Sequence, residues 1–134
     1  MNLSKLMAAA LLFVLCDVVH AHDVTEEKIQ PVMRQAIPEA VGKNVLIATV
    51  SYAPGQASQA HMHPGSIFAY VLEGHVVSQL EGSPARTYRP GESWYEAPGA
   101  HHLVSRNASK TKPAKLLVFA IVGEQDPVKL PIPH

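Results

Sequence analysis

From residue 45 onward, short apolar runs alternate with turns built on glycine and proline, and that pattern predicts strands. Residues 45–52 (VLIATVSY) are rich in β-branched and aromatic side chains and stop at Pro54-Gly55. Residues 66–72 (SIFAYVL) stop at Glu73-Gly74, and residues 75–80 (HVVSQL) follow at once, as a hairpin partner would. Further short strands are predicted at 86–89, 93–97 and 101–106, divided by Pro90-Gly91 and Pro98-Gly99. Residues 107–113 form a polar loop. The continuous apolar run 116–122 (LLVFAIV) suits a strand covered on both faces. Phe68, Tyr70, Trp94 and Phe119 are read as core residues. The proline-rich end cannot enter a central strand and is expected along the surface. About eight closely spaced strands with tight turns make an all-β sandwich or small barrel.

The segment before residue 45 reads differently. Thr25-Glu26-Glu27-Lys28 resembles a helix start, with Thr25 as cap and acids in the first turn. Pro31 and Pro38 restrict residues 23–40 to an arm with a short helix. Earlier still, Lys5 precedes ten residues without a polar group (LMAAALLFVL, 6–15), and Val19-His20-Ala21 offers a cleavage site. A bilayer span needs about 20 residues, so this stretch reads as a secretory signal. The expected organisation is a signal peptide at 1–21, an arm at 22–44, a barrel at 45–123 and an extended tail at 124–134. The single cysteine, Cys16, would leave with the signal. A mature chain without thiols suits the periplasm or the exterior and excludes thiolate ligands and cysteine nucleophiles.

Charge narrows the field further. Eleven basic and eleven acidic residues balance, with no basic stripe, so neither nucleic acid nor an anionic membrane surface is an expected partner. Histidine is the informative residue. His61 and His63 stand two apart in an extended stretch, so both imidazoles face one side. Gln59 shares that side by the same count. His101-His102 follows a Pro-Gly turn on a later strand, and only one of the two can face inward. Neutral imidazole is a common metal ligand.

Two blocks carry a family resemblance. Residues 55–74 read GQASQAHMHPGSIFAYVLEG, and residues 91–107 read GESWYEAPGAHHLVSRN. Their Gly-x5-His-x-His and Gly-x5-x-x-Gly-x2-His spacings resemble the paired motifs of the cupin superfamily, with Asn107 close behind. The resemblance implies an antiparallel double-stranded β-helix, or jelly-roll barrel. It also implies one divalent metal ion (Fe, Mn, Ni or Zn) at the barrel mouth, held by His61, His63, an acid and His102. His101 then falls on the rim. The acid's aligned position holds Ile67, flanked by Ser66 and Phe68.

That substitution leaves two readings: a three-histidine centre with open positions, or a degraded site. Gln59 could supply a neutral oxygen in place of the acid. Glu96, six residues before His102, could be a ligand, a hydrogen-bond partner of an imidazole, a general base, or a solvated strand-end charge. The expected function is a metal-dependent, dioxygenase-like enzyme acting on a small organic molecule. The alternative is a non-catalytic module that binds a small ligand. A homodimer is also expected, as the resemblance implies.

Overall fold

The runs of β-branched residues form strands, and the positive-φ glycines between them close the turns. The computed structural model describes residues 26–134, with no α-helix among them. The signal segment 1–21 lies outside the described residues. In chain order the strands are β1 (Lys28–Ala36), β2 (Lys43–Tyr52), β3 (His61–Met62), β4 (Ser66–Glu73) and β5 (Val76–Leu80). They continue with β6 (Arg86–Tyr88), β7 (Ser93–Glu96), β8 (His101–Asn107), β9 (Ala114–Gly123) and β10 (Leu130–Pro131). They make two five-stranded antiparallel sheets, ordered β1-β2-β9-β4-β7 and β10-β3-β8-β5-β6. This is the jelly-roll barrel that the sequence predicts.

The arm is a correction. Where a short helix was expected, residues 28–36 form β1, paired with β2 through a register shift between Pro31 and Met33. A nine-residue helix interrupted by proline would be marginal in water. The free edge of β2 instead offers a ready ladder of N–H and C=O groups. Pro31, which has no N–H to donate, is tolerated on such an edge strand. The tail is also more than a surface segment, because β10 pairs with β3.

Strand parity sorts the β1-β2-β9-β4-β7 sheet into two faces. Its inner face carries rows of paired residues: Leu46–Ala120–Ile67–Glu96, then Ala48–Val118–Ala69–Trp94, then Val50–Leu116–Val71. The second row contains two alanines, and small side chains there leave space between the sheets. Either side of that space, Leu46, Ile67, Ala120 and Val122 form one buried cluster, and Tyr52, Val71, Val76, Ala114 and Leu116 form another. The outer face carries Ile47–Phe119–Phe68–Tyr95 in register. Phe68, Tyr70 and Phe119 are therefore exposed rather than core residues, at 44%, 43% and 38%. Ile67, Ala69 and Val71 take the inward positions of β4, so strand alternation turns Phe68 and Tyr70 outward. For the same reason residues 116–122 are covered fully on one face only.

Two glycines hold the site segment in place. A Cβ on Gly65 would collide with the Ile121 carbonyl of β9, so only glycine lets the chain after His63 approach that strand. Gly99, at φ +77°, forms the turn between β7 and β8. Its N–H donates to the His63 carbonyl at 2.8 Å. At the far end of β8, buried Asn107 clamps the polar loop. Its Nδ2 donates to the Ala53 and Lys112 carbonyls, and its Oδ1 accepts from the Ser109 N–H.

Candidate metal centre

His61 on β3 faces His102 on β8 in direct register. His63 follows immediately after β3. The His61 ring centroid lies 4.8 Å from that of His63 and 5.0 Å from that of His102. One ligand atom from each of the three lies within 4.8 Å of the others. The expectation that these histidines converge is met by the geometry.

The orientation of His61 and His63 comes from the main chain. His61 donates its Nδ1–H to the Gln59 carbonyl at 2.7 Å, and His63 donates its Nδ1–H to the Val128 carbonyl at 2.5 Å. Each bond fixes the tautomer that leaves the Nε2 lone pair free. His102 is turned the other way, with Nε2 against the Ser78 hydroxyl at 2.8 Å. Its Nδ1 is buried without a hydrogen-bond partner. Burial lowers the His61 imidazole to about 4 and also pushes His63 below its ordinary value. Both are therefore neutral near pH 7, the form that binds metal.

Glu96 completes the cluster. It pairs across the strands with Ile67, so it stands beside the position where the family motif has its acid, one strand over. Only 2% of it is exposed, which rules out a solvated strand-end charge. Oε1 accepts from the Trp94 Nε1–H at 2.9 Å and lies 3.1 Å from His102 Nδ1. Oε2 lies 3.6 Å from His63 Nε2 and has no hydrogen-bond partner. Burial alone would raise the carboxyl's pKa. The His102 imidazole 3.1 Å away, the Trp94 N–H and His63 outweigh it and hold the carboxyl below its ordinary value.

These groups open onto a cavity of about 190 Å³ between the sheets. That exceeds the roughly 150 Å³ that accommodates a benzene-sized molecule. Its remaining walls are mostly apolar, from Leu46, Ala48, Ala69, Leu116 and Ala120. Gln59 requires a correction. Its side chain is exposed and lines an outer groove, and its contribution is the carbonyl that orients His61. The two-residue alternation does not extend to it because β3 begins only at His61. His101 lies on the rim, with Nδ1 3.0 Å from Glu81 Oε2. Sequence reasoning missed Ser78, Glu27 and Lys129, which come from distant segments that no local motif connects.

The donor set fits a divalent ion. Three imidazoles and a carboxylate suit iron, zinc, nickel or manganese. Two of the buried polar atoms that lack a hydrogen-bond partner, His102 Nδ1 and Glu96 Oε2, are donors of this set, and an unmade bond at such an atom is costly.

Comparison with known proteins agrees. The cupin domain model matches residues 48–120. No curated protein sequence matches the chain. Among solved structures, the chain is similar to the DMSP lyase DddQ from Ruegeria pomeroyi DSS-3, at 20% identity and a TM-score of 0.65. That match covers 85% of this chain and 55% of the lyase, so the chain spans about half the lyase's length. An oxalate oxidase is similar at 22% identity and a TM-score of 0.62, over 83% of this chain and 57% of the oxidase. A Klebsiella pneumoniae subsp. pneumoniae MGH 78578 protein with a double-stranded β-helix domain matches at 17% identity and a TM-score of 0.61, over 81% and 86% of the two chains. At these identities the structural likeness speaks for the fold. With the domain match, the barrel and the three-histidine group in hand, the chain belongs to the cupin family.

Proposed function

We propose that the protein is an exported, metal-dependent cupin enzyme of dioxygenase-like type, acting on a small organic molecule. One observation carries the reading: His61 and His63 are tied by Nδ1–H bonds to main-chain carbonyls, so both Nε2 lone pairs turn toward His102 beside a molecule-sized cavity. His61, His63 and His102 would hold the ion, with Glu96 beside them. When bound, such an ion supplies Lewis acidity and open positions for substrate and O₂. The rest falls to the chain itself. Trp94 holds Glu96 Oε1, which leaves Oε2, without a hydrogen-bond partner, as a base for a substrate proton. The apolar walls exclude water and accept a compact carbon skeleton. The similar lyase and oxidase are enzymes with small-molecule substrates by their names, which supports this class without naming the substrate.

The test is elemental analysis of the purified protein beside a His61→Ala/His63→Ala variant, followed by O₂ consumption of the iron-loaded protein on a panel of small thiols, diketones and phenols. About one equivalent of metal, lost in the variant, and turnover above free iron are expected. Bound metal with ligand-induced stabilisation but no turnover would favour the non-catalytic binding module. The apolar cavity and Ile67 at the usual acid position suit that second reading.

Export rests on the segment 1–21, and N-terminal sequencing of periplasmic material should begin at His22. A homodimer is supported by the outward row Ile47–Phe119–Phe68–Tyr95, a contiguous apolar strip of the kind that marks protein interfaces.

A further inference from the structure

Two charged residues line the cavity and take no part in the chemistry above. Glu27 lies just before β1, and Lys129 just before β10. Lys129 Nζ donates to Glu27 Oε1 at 2.7 Å, which joins the two ends of the described chain across the barrel. The Glu27 side chain is 4% exposed, and its Oε2 is buried with no hydrogen-bond partner. Burial alone would raise this carboxyl, but the bond and charge of Lys129, with a main-chain N–H and the Ser58 hydroxyl, outweigh it and hold the carboxyl below its ordinary value.

Position gives the pair its meaning. Lys129 is the only lysine or arginine lining the cavity among the described residues. It also lines the outer groove, as do Ile29 and His61. These three therefore stand in the wall that separates groove from cavity, next to the histidine centre. The neighbouring Val128 carbonyl, which orients His63, fixes the backbone there.

We propose that Lys129 is an anion anchor at the cavity mouth, that the ligand is a small carboxylate with a compact apolar body, and that Glu27 occupies the anchor until the ligand displaces it. This rests on the metal-dependent reading above in taking the ligand to be that centre's substrate and in counting the ion's charge. The argument is one of exchange. A carboxylate that replaces Glu27 leaves Lys129 with the same kind of partner. A neutral ligand that did so would leave Lys129, whose side chain is 26% exposed, without a charged partner. With a divalent ion present, the two positive charges of the metal and one of Lys129 exceed the two carboxylates of Glu27 and Glu96 by one. The cavity then favours an anion. The walls beyond Lys129 are apolar and suit a hydrocarbon body.

The test is calorimetric titration of the full chain with benzoate and propionate, against benzamide and propionamide, with metal content measured on the same preparations. The carboxylates are expected to bind at least about tenfold more tightly than their amides, since a hydrogen bond to a charged group is worth that much. Lys129→Gln should abolish the discrimination, and Lys129→Arg should retain it, which guards against a merely misfolded variant. Glu27→Gln, which removes the internal competitor, should tighten carboxylate binding several-fold. Equal affinity for acid and amide, no carboxylate binding by wild type or Glu27→Gln, or full discrimination in Lys129→Gln would each overturn the proposal. Discrimination lost in His61→Ala/His63→Ala but kept in Lys129→Gln would also overturn it, because the carboxylate would then sit on the histidine centre. A wild type that carries no metal yet shows Lys129-dependent discrimination would support the anchor while refuting the metal-dependent function.

Discussion

Acid should unfold the metal-free protein, and His61 should carry much of the effect. Burial is the largest influence on this imidazole and lowers it from 6.5 to about 4. The bond to the Gln59 carbonyl opposes the shift, while His63, His102 and Lys129 reinforce it. Between those two values an unfolded chain binds the proton and the folded one does not. Stability from this residue is thus fully present above pH 6.5, declines as the pH falls, and is gone below about 4. At ~1.4 kcal/mol per pH unit, the window amounts to about 3 kcal/mol. That is a large share of the 5–15 kcal/mol typical of a domain, and on the order of 10 °C in Tm. His63, also lowered, acts with the same sign, and Glu96 adds its loss at lower pH. The assay is urea unfolding of chelator-treated protein at several pH values from 7 to 4.5, for wild type and His61→Gln. The variant should lose up to ~1.4 kcal/mol per pH unit of slope. Identical slopes in the two proteins would refute the reasoning. Zinc added to the wild type should raise stability near pH 7 and steepen the same curve, because the ligated nitrogens cannot take the protons that the unfolded chain binds.

Other predictions concern the frame. Asn107→Ala removes three hydrogen bonds made at 3.2, 2.7 and 2.9 Å and should cost about 3 kcal/mol in chemical denaturation, with metal content unchanged. Gly65→Ala forces a methyl group onto the Ile121 carbonyl and should cost about 2 kcal/mol. Because it also displaces the chain after His63, it should weaken zinc binding in a chelator competition. Phe68→Lys, on the exposed apolar row, should shift sedimentation from dimer to monomer without lowering the Tm of the isolated subunit.

The strands were legible wherever a β-branched run met a Gly or Pro turn, as in β2, β4 and β9. The His61–His63–His102 group was legible because the His-x-His spacing and the two spaced motifs agreed. β1 was not, because its pairing is dictated by the open edge of β2 rather than by its own residues. The orientation of Glu96 depends on the Ile67–Glu96 pairing, a register between strands that local sequence does not encode. Gln59 misled because parity holds only within a strand. Glu27 and Lys129 stand 102 residues apart, and only the closed barrel brings them together.

The main-chain origin of the carbonyls that steer His61 and His63 has an evolutionary consequence. Any amino acid at positions 59 and 128 presents the same oxygen, so those positions can drift while the imidazoles keep their aim. The aim of His61 and His63 is thus inherited through backbone path rather than through the side chains at those two positions. Substrate preference can change through neighbouring side chains, such as the cavity's alanines, without re-evolving the ligand geometry.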